Sequence, residues 1–130
     1  MKTHQLKFRR LEGRFAVCRL SADAAIPAWA MSASFASITR TGDERSVVCP
    51  QENVPSEVQA ERNWVGFKLQ GPFPFSQTGI LASFLTPLAE GGIPIFALST
   101  YDTDYVFVKQ ESAEAALHAL QSAGHELVND

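Results

Sequence analysis

The sequence predicts an α+β fold in which two helices cover one face of an antiparallel sheet. Three patterns in the second half of the chain lead to this prediction. Apolar residues alternate at positions 65, 67 and 69, they recur at helical spacing between residues 79 and 90, and a second helical pattern follows two further strand-like runs. The element order of this half is βαββαβ, which is the ferredoxin-like arrangement.

Composition and charge limit the classes of function open to the chain. Its 130 residues suffice for one domain, or for two very small modules sharing a core, and its 45% hydrophobic and 19% charged content is that of a globular protein. The net charge of -3 argues against nucleic-acid binding, which draws on clustered lysine and arginine. No apolar run approaches the ~18 residues of a membrane span, and the N-terminus lacks a signal peptide's apolar run. We expect neither a nucleic-acid nor a membrane partner.

The two cysteines favour a reducing compartment. Cys18 and Cys49 lie in apolar, strand-like segments, which favours buried thiols over a disulfide. No pair of cysteines or histidines has the spacing of metal ligands, so the sequence predicts neither a metal nor another cofactor. We therefore expect a cytoplasmic protein.

The first half of the chain is β-rich. Glu12-Gly13 is a hairpin-type signal between the first two strand-like runs. Pro27 suits the first position of a short helical turn, and the polar, proline-containing segment 50–61 is the best candidate for a linker. The predicted elements of this half are strands at 6–11, 14–20, 34–39 and 45–49 and a helical turn at 28–31.

The second half alternates between strand and helix signals. Residues 64–70 have the period-two alternation of a half-buried strand, and Gly91-Gly92 ends the following helix with residues able to adopt left-handed geometry. Pro87, near the end of that helix, removes a backbone hydrogen bond. The predicted elements are strands at 64–70, 93–99, 104–109 and 125–128 and helices at 79–90 and 112–123.

The strand counts of the two halves indicate two related modules. The first half has nearly the same number of strands as the second but only a vestigial helix, so we interpret it as a degenerate copy. The predicted modules span residues 1–61 and 62–130 and pack side by side.

Crossover geometry brings two polar segments of the second module together. A strand–helix–strand unit crosses over right-handedly, so the strands at 64–70 and 93–99 run parallel and the chain returns along the helix between them. The helix start and the turn after the second of these strands then lie at one end of the sheet. The residues concerned are Thr78, Gly79 and Ile80 at the helix start and Ser99, Thr100, Tyr101, Asp102 and Asp104 at the turn.

These residue types suit a zwitterionic ligand such as an amino acid. A helix start presents unpaired N–H groups that favour a carboxylate, and Gly79 leaves the backbone accessible. Asp102 and Asp104 suit an ammonium or guanidinium group. The alternative is structural, with Thr78 as an N-cap, Gly79 as a packing position and both aspartates as turn residues. From spacing alone, the structural alternative is the better interpretation.

The stretch from Phe75 to Val108 resembles the ACT domain. Gly79-Ile80-Leu81 is similar to the Gly-Ile/Leu-Leu/Ala helix start of that superfamily. The run from Ser99 to Tyr105, followed by aliphatic residues, resembles the tandem-ACT branch, which contains small bacterial ACT proteins and the animal cytosolic arginine sensors of the TOR pathway. The resemblance is good over 64–128 and weak over 1–60, where only the strand order supports it.

The resemblance implies a regulatory module that binds an amino acid at an interface between ACT modules, often within a homodimer, and acts on a protein target. Gly79 matches the ligand-facing glycine of the helix start, and Thr100, Tyr101 and Asp104 match positions that hold the amino acid. Two features depart from the family pattern. Ser76-Gln77-Thr78 stands where the superfamily commonly has Asp-x-Pro, and the chain has two modules where the animal sensor has four.

Two other functions remain open at this point. The missing Asp-x-Pro and the apolar Phe73-Pro74-Phe75 segment favour a protein–protein interaction or dimerisation scaffold with a decayed ligand site. Asp102 and Asp104 are spaced to point the same way on an extended chain, as an acid–base pair requires. No recognisable nucleophile or base motif accompanies them, which argues against an enzyme. We rank sensing first, the scaffold second and the enzyme third; the sequence identifies neither the ligand nor the target.

Overall fold

The computed structural model describes residues 4–31 and 33–128. Spatial contacts between residues divide them into two compact units. The helix-bearing unit combines the described residues before Gly13 with those from Val65 onward, and the β-rich unit spans Gly13–Trp64. The predicted division between residues 61 and 62 stays a prediction.

The described residues form eight strands and two α-helices. None of the helices in this part of the chain has the length and apolar character needed to cross a membrane. In chain order the elements are β1 (Lys7–Arg10), β2 (Phe15–Leu20), β3 (Ser37–Arg40), β4 (Arg45–Pro50), β5 (Ala60–Leu69), α1 (Ile80–Glu90), β6 (Ile95–Ser99), β7 (Asp104–Lys109), α2 (Ala113–Ser122) and β8 (Glu126–Leu127).

The helix-bearing unit has the predicted βαββαβ order in β5, α1, β6, β7, α2 and β8. The alternation that predicted β5 is confirmed, because Val65, Phe67 and Leu69 are all fully buried. They form one core with apolar side chains of both helices, including Phe84 of α1 and Leu120 of α2. Burial of one helical face against the sheet is what stabilises two helices of this length.

The predicted hairpin between β1 and β2 is wrong. β1 pairs antiparallel with β5 and parallel with β8, whereas β2 pairs with β4 and β5. The physical reason is the burial of Leu6 and Phe8 in the core of the helix-bearing unit. The Phe8 ring lies with its centroid 5.1 Å from that of Phe84 and 5.5 Å from that of Phe67. The parallel pairing of β1 with β8 makes the sheet mixed rather than wholly antiparallel.

The β-rich unit contains β2, β3, β4 and the first part of β5. The predicted helical turn is confirmed as a 3₁₀ turn over Ala28–Met31. Cys18 and Cys49 are free, buried thiols, as predicted. The pKa of Cys49 is raised above its ordinary value, chiefly by its hydrogen bond to Cys18 and also by burial. Val54 lies in the core of this unit, so the predicted linker segment 50–61 packs into it.

Candidate functional site

The turn between β6 and β7 is held by hydrogen bonds within itself. Ser99 and Asp104 are cross-strand partners, and the Ser99 hydroxyl donates to Oδ1 of Asp104 at 2.5 Å. The Thr100 amide donates to the Thr103 carbonyl at 2.8 Å, and the Thr103 amide donates to the Thr100 hydroxyl at 3.3 Å. The Ser99 bond fixes one carboxylate oxygen of Asp104 and therefore orients the whole carboxylate.

The same turn is attached to the segment that leaves β5. The buried Thr103 hydroxyl donates to the Leu69 carbonyl at 2.7 Å, and the Phe73 amide donates to the Asp102 carbonyl at 3.0 Å. Gly71 lies so close to the turn that a Cβ atom there would come within 2.6 Å of the Asp102 carbonyl oxygen. These contacts hold the segment after β5 against the acidic turn.

The start of α1 is Gly79, which occupies the N-cap position. Its φ of 82° is left-handed and favours glycine, and no described side chain caps this helix end. The first backbone bond of the helix runs from the Ser83 amide to the Gly79 carbonyl. The amides of residues 80–82 thus precede the helical ladder. The structural alternative of Thr78 as the N-cap is wrong.

A buried histidine supports the first turn of α1. Pro87 has no N–H for the Ser83 carbonyl, so the bond predicted to be lost there is absent. Nε2 of His125 lies 2.9 Å from that carbonyl oxygen, and Nδ1 lies 3.1 Å from the Leu6 amide. Because an amide only donates, Nδ1 is the acceptor and the proton is on Nε2. The neutral imidazole therefore replaces the donor that Pro87 lacks.

The acidic turn and the helix start line one surface cavity of about 370 Å³. This volume lies within the roughly 300–1,000 Å³ of small-molecule sites. Every residue predicted for the site lines the cavity except Thr78, whose carbonyl lies 3.0 Å from Nε2 of His4. The lining residues are Phe73, Pro74, Phe75, Gln77, Gly79, Ile80, Leu81, Ala82, Ser99, Thr100, Tyr101, Asp102, Thr103 and Asp104.

The charge distribution of the cavity is uneven. Asp102 and Asp104 are its acidic residues, and the described lining contains no lysine, arginine or histidine. The uncapped helix start supplies the positive end of the helix dipole. One side of the cavity is therefore suited to a cation, and the other to an anion.

Sequence reasoning missed an aromatic pair at this cavity. Phe75 and Tyr101 are 77% and 82% exposed, and their ring centroids lie 5.2 Å apart in an edge-to-face arrangement. The Phe73-Pro74-Phe75 run was visible as an apolar segment, but its position beside the turn depends on the contacts around Gly71. Within the described residues, no three histidine, cysteine or acidic side chains cluster as a metal site would require.

Comparisons with known proteins agree with this architecture. The model of the ACT domain family matches residues 59–122, and a model of an N-terminal domain matches residues 13–57. The crystal structure of the protein Atu0741 from Agobacterium tumefaciens has a TM-score of 0.92 at 43% sequence identity, and covers 98% of this chain and 96% of that chain. At this identity the similarity concerns the family as well as the fold.

More distant relatives extend the comparison. The cytosolic arginine sensor for mTORC1 subunit 1 of Bos taurus is 29% identical over 97 residues, which are 66% of this chain and 30% of the relative. The regulatory subunit of aspartate kinase from Thermus thermophilus has a TM-score of 0.58 at 14% identity, over 91% of this chain and 93% of that chain, and shares the fold alone. The chain spans less than two thirds of the length of the first curated relatives that it matches. It belongs to the ACT domain family, with an N-terminal ACT-like domain before its ACT domain.

Proposed function

We propose that this protein is a regulatory module that binds a free amino acid in the cavity between the α1 start and the β6–β7 turn. The observation that carries the proposal is that an uncapped helix N-terminus and two carboxylates line the same cavity. A zwitterion satisfies both ends at once, whereas a simple anion or cation satisfies only one.

The orientation of the ligand follows from these groups. Its α-carboxylate accepts hydrogen bonds from the amides of residues 80–82, and Gly79 leaves that approach free of a side chain. Its ammonium group binds Asp104, which the Ser99 hydroxyl already orients. Asp102, Thr100 and the Tyr101 ring remain for the ligand's side chain. Thr78 does not line the cavity and so contributes no contact to the ligand in this arrangement.

L-Arginine is the first ligand to test. A curated relative is named as a cytosolic arginine sensor, and two carboxylates allow one to bind the ammonium and the other a guanidinium group. We further propose that the protein acts in the cytoplasm as a homodimer, in which a second copy covers the cavity, and that it passes the signal to a protein target. In this role the two aspartates bind ligand and do no acid–base chemistry.

A thermal-shift screen of the twenty amino acids tests the proposal on protein shown to be ligand-free. A ligand at about 100 times its dissociation constant should add about 2.7 kcal/mol to the free energy of unfolding. Asp104→Ala should abolish the shift and leave the fold intact, because Asp104 is partly exposed. Asp104→Asn keeps an acceptor for Ser99 and removes only the charge.

Asp43→Asn is the matched control, since Asp43 is an exposed acidic residue in a turn of the β-rich unit. It removes the same charge from a residue that does not line the cavity, and it should leave the shift unchanged. The proposal fails if no amino acid stabilises the protein, or if the Asp43 and Asp104 variants respond alike.

A second candidate function is a scaffold for protein–protein interaction. The exposed Phe75–Tyr101 pair favours it, because adjacent exposed aromatic rings are typical of contact surfaces. A partner captured from the source cell equally well by the wild type and by Asp104→Ala, but not by Phe75→Ser, would favour the scaffold over the sensor.

A further inference from the structure

The turn between β3 and β4 has the same hydrogen-bonded frame as the candidate site turn. The Thr41 amide donates to the Glu44 carbonyl at 3.0 Å, as the Thr100 amide does to the Thr103 carbonyl at 2.8 Å. The Thr41 hydroxyl accepts the Glu44 amide at 3.1 Å, as the Thr100 hydroxyl accepts the Thr103 amide at 3.3 Å. Each turn thus begins with a threonine that organises the three residues after it.

The residues that flank the two turns differ in charge. Arg40 and Arg45 are cross-strand partners at the ends of β3 and β4, where Ser99 and Asp104 are partners at the ends of β6 and β7. The position of the oriented carboxylate in one turn is therefore occupied by a guanidinium group in the other. A cavity adjoins each turn, and the one beside Arg40 and Arg45 measures about 600 Å³.

Two like charges directly opposite each other destabilise a sheet. Nε of Arg45 donates to the Ala24 carbonyl at 2.9 Å, which fixes this half-buried side chain. Among the described residues, no acidic side chain forms an ion pair with Arg40 or Arg45. Asp23 also lines the cavity, and its Oδ1 accepts the Ser21 hydroxyl at 3.1 Å. The lining therefore carries two positive charges and one negative charge.

We propose that Arg40 and Arg45 bind a small oxyanion in this cavity, which makes it a second ligand site. The planar guanidinium groups suit the bidentate hydrogen bonds of a carboxylate or a phosphate group. An anion between the two arginines would relieve their mutual repulsion. Asp23 opposes a highly charged anion and so favours a singly charged one. This site lies wholly in the β-rich unit and does not depend on the amino-acid site.

Titration of the ¹⁵N-labelled full chain with inorganic phosphate and, separately, with acetate tests this site at constant ionic strength. Saturable shifts of the amides at positions 41–45 are expected with at least one of the two anions. The anion that binds shows whether the site takes a carboxylate or a phosphate group. Arg40→Gln should weaken this binding about tenfold or more, because a hydrogen bond to a charged group is lost. Asp23→Asn should strengthen it about twofold or more, because a nearby negative charge is removed.

Arg19→Gln is the matched control for these variants. Arg19 is on β2, where its cross-strand partner is Ser46, so it points to the opposite face from Arg45. Its Nη2 donates to the Asp43 carbonyl at 3.1 Å, so the control also removes a guanidinium group that bonds the same turn. Its affinity for the anion should stay within about twofold of the wild type. Absence of saturable shifts with both anions, or equal weakening in Arg19→Gln and Arg40→Gln, would overturn the proposal.

Discussion

The two units of this protein hold their turns by different means. The buried polar side chains of the described residues are Ser83, Thr103 and His125, and all three belong to the helix-bearing unit. Two of them, Thr103 and His125, bond the elements that line the proposed ligand cavity to the rest of that unit. The β-rich unit has an apolar core with two thiols, and the Thr41 hydroxyl bonds its turn only to residues of the same turn.

This difference shows that the conformation of a turn and its attachment to the rest of the unit have separate causes. Both turns have the same frame because both start with threonine, so local sequence decides their shape. The position of the β6–β7 turn relative to the α1 start depends in addition on buried hydrogen bonds to distant residues. Because an unsatisfied buried polar group costs far more than an exposed one, substitutions in these bonds should affect the helix-bearing unit most.

The largest effect is expected at His125. His125→Ala should lower the free energy of unfolding by about 3 kcal/mol, because the Ser83 carbonyl and the Leu6 amide both lose their buried partner. Chemical denaturation measures this change. The exposed His118 is the control, and His118→Ala should change the stability by less than about 0.5 kcal/mol.

Pro87 provides a double-mutant test of the same account. In Pro87→Ala the helix regains an amide for the Ser83 carbonyl, so His125→Ala should cost about 1 kcal/mol less in that background than in the wild type. Equal costs in the two backgrounds would show that His125 does not substitute for the donor that Pro87 lacks.

The next effect compares two threonine hydroxyls directly. Thr103→Val should destabilise the protein by about 1–2 kcal/mol, although Thr103 donates a single side-chain bond to Leu69. Thr41→Val should cost about 0.5 kcal/mol, although its exposed hydroxyl makes three bonds. Urea denaturation of both variants measures the two costs, and a larger loss for Thr41→Val would contradict the importance of burial.

The last comparison concerns two glycines, Gly79 at the start of α1 and Gly42 in the β3–β4 turn. Gly79→Ala should destabilise by about 1 kcal/mol, because Gly79 has a left-handed φ of 82°. It should also weaken amino-acid binding, since Gly79 lines the cavity at the proposed carboxylate end. Gly42→Ala is the control, because a Cβ atom there meets nothing within 4 Å. Similar changes in thermal midpoint for the two variants would argue that alanine causes no backbone strain at position 79.

Much of the helix-bearing unit could be predicted because its signals are local. The alternation at β5, the apolar face of α1 and the glycines after it each lie within about a dozen residues, and the crossover rule then places the helix start beside the turn. Gly79 and Asp104 were therefore found from sequence as lining residues of one cavity. Their roles in binding an amino acid stay a prediction.

The remaining features depend on contacts between distant residues. β1 is a short strand, and its pairing follows from the burial of Phe8 against residues far along the chain. The nearby Glu12-Gly13 signal instead favoured a hairpin with β2, which is wrong. The buried hydrogen bonds of Thr103 and His125 could not be predicted from sequence, because their acceptors, the Leu69 and Ser83 carbonyls, are distant along the chain. The equivalence of Arg45 and Asp104 depends on the shared hydrogen bonds of the two turns, which the sequence alone does not show.

The central claim is that an amino acid binds between the α1 start and the β6–β7 turn. Titration of the ¹⁵N-labelled protein with each of the twenty amino acids, L-arginine first, tests it most directly. The account predicts saturable amide shifts at residues 80–82 and 99–104 with at least one amino acid, and their loss in Asp104→Ala. Saturable shifts confined to other residues, or none with any amino acid on ligand-free protein, would contradict it.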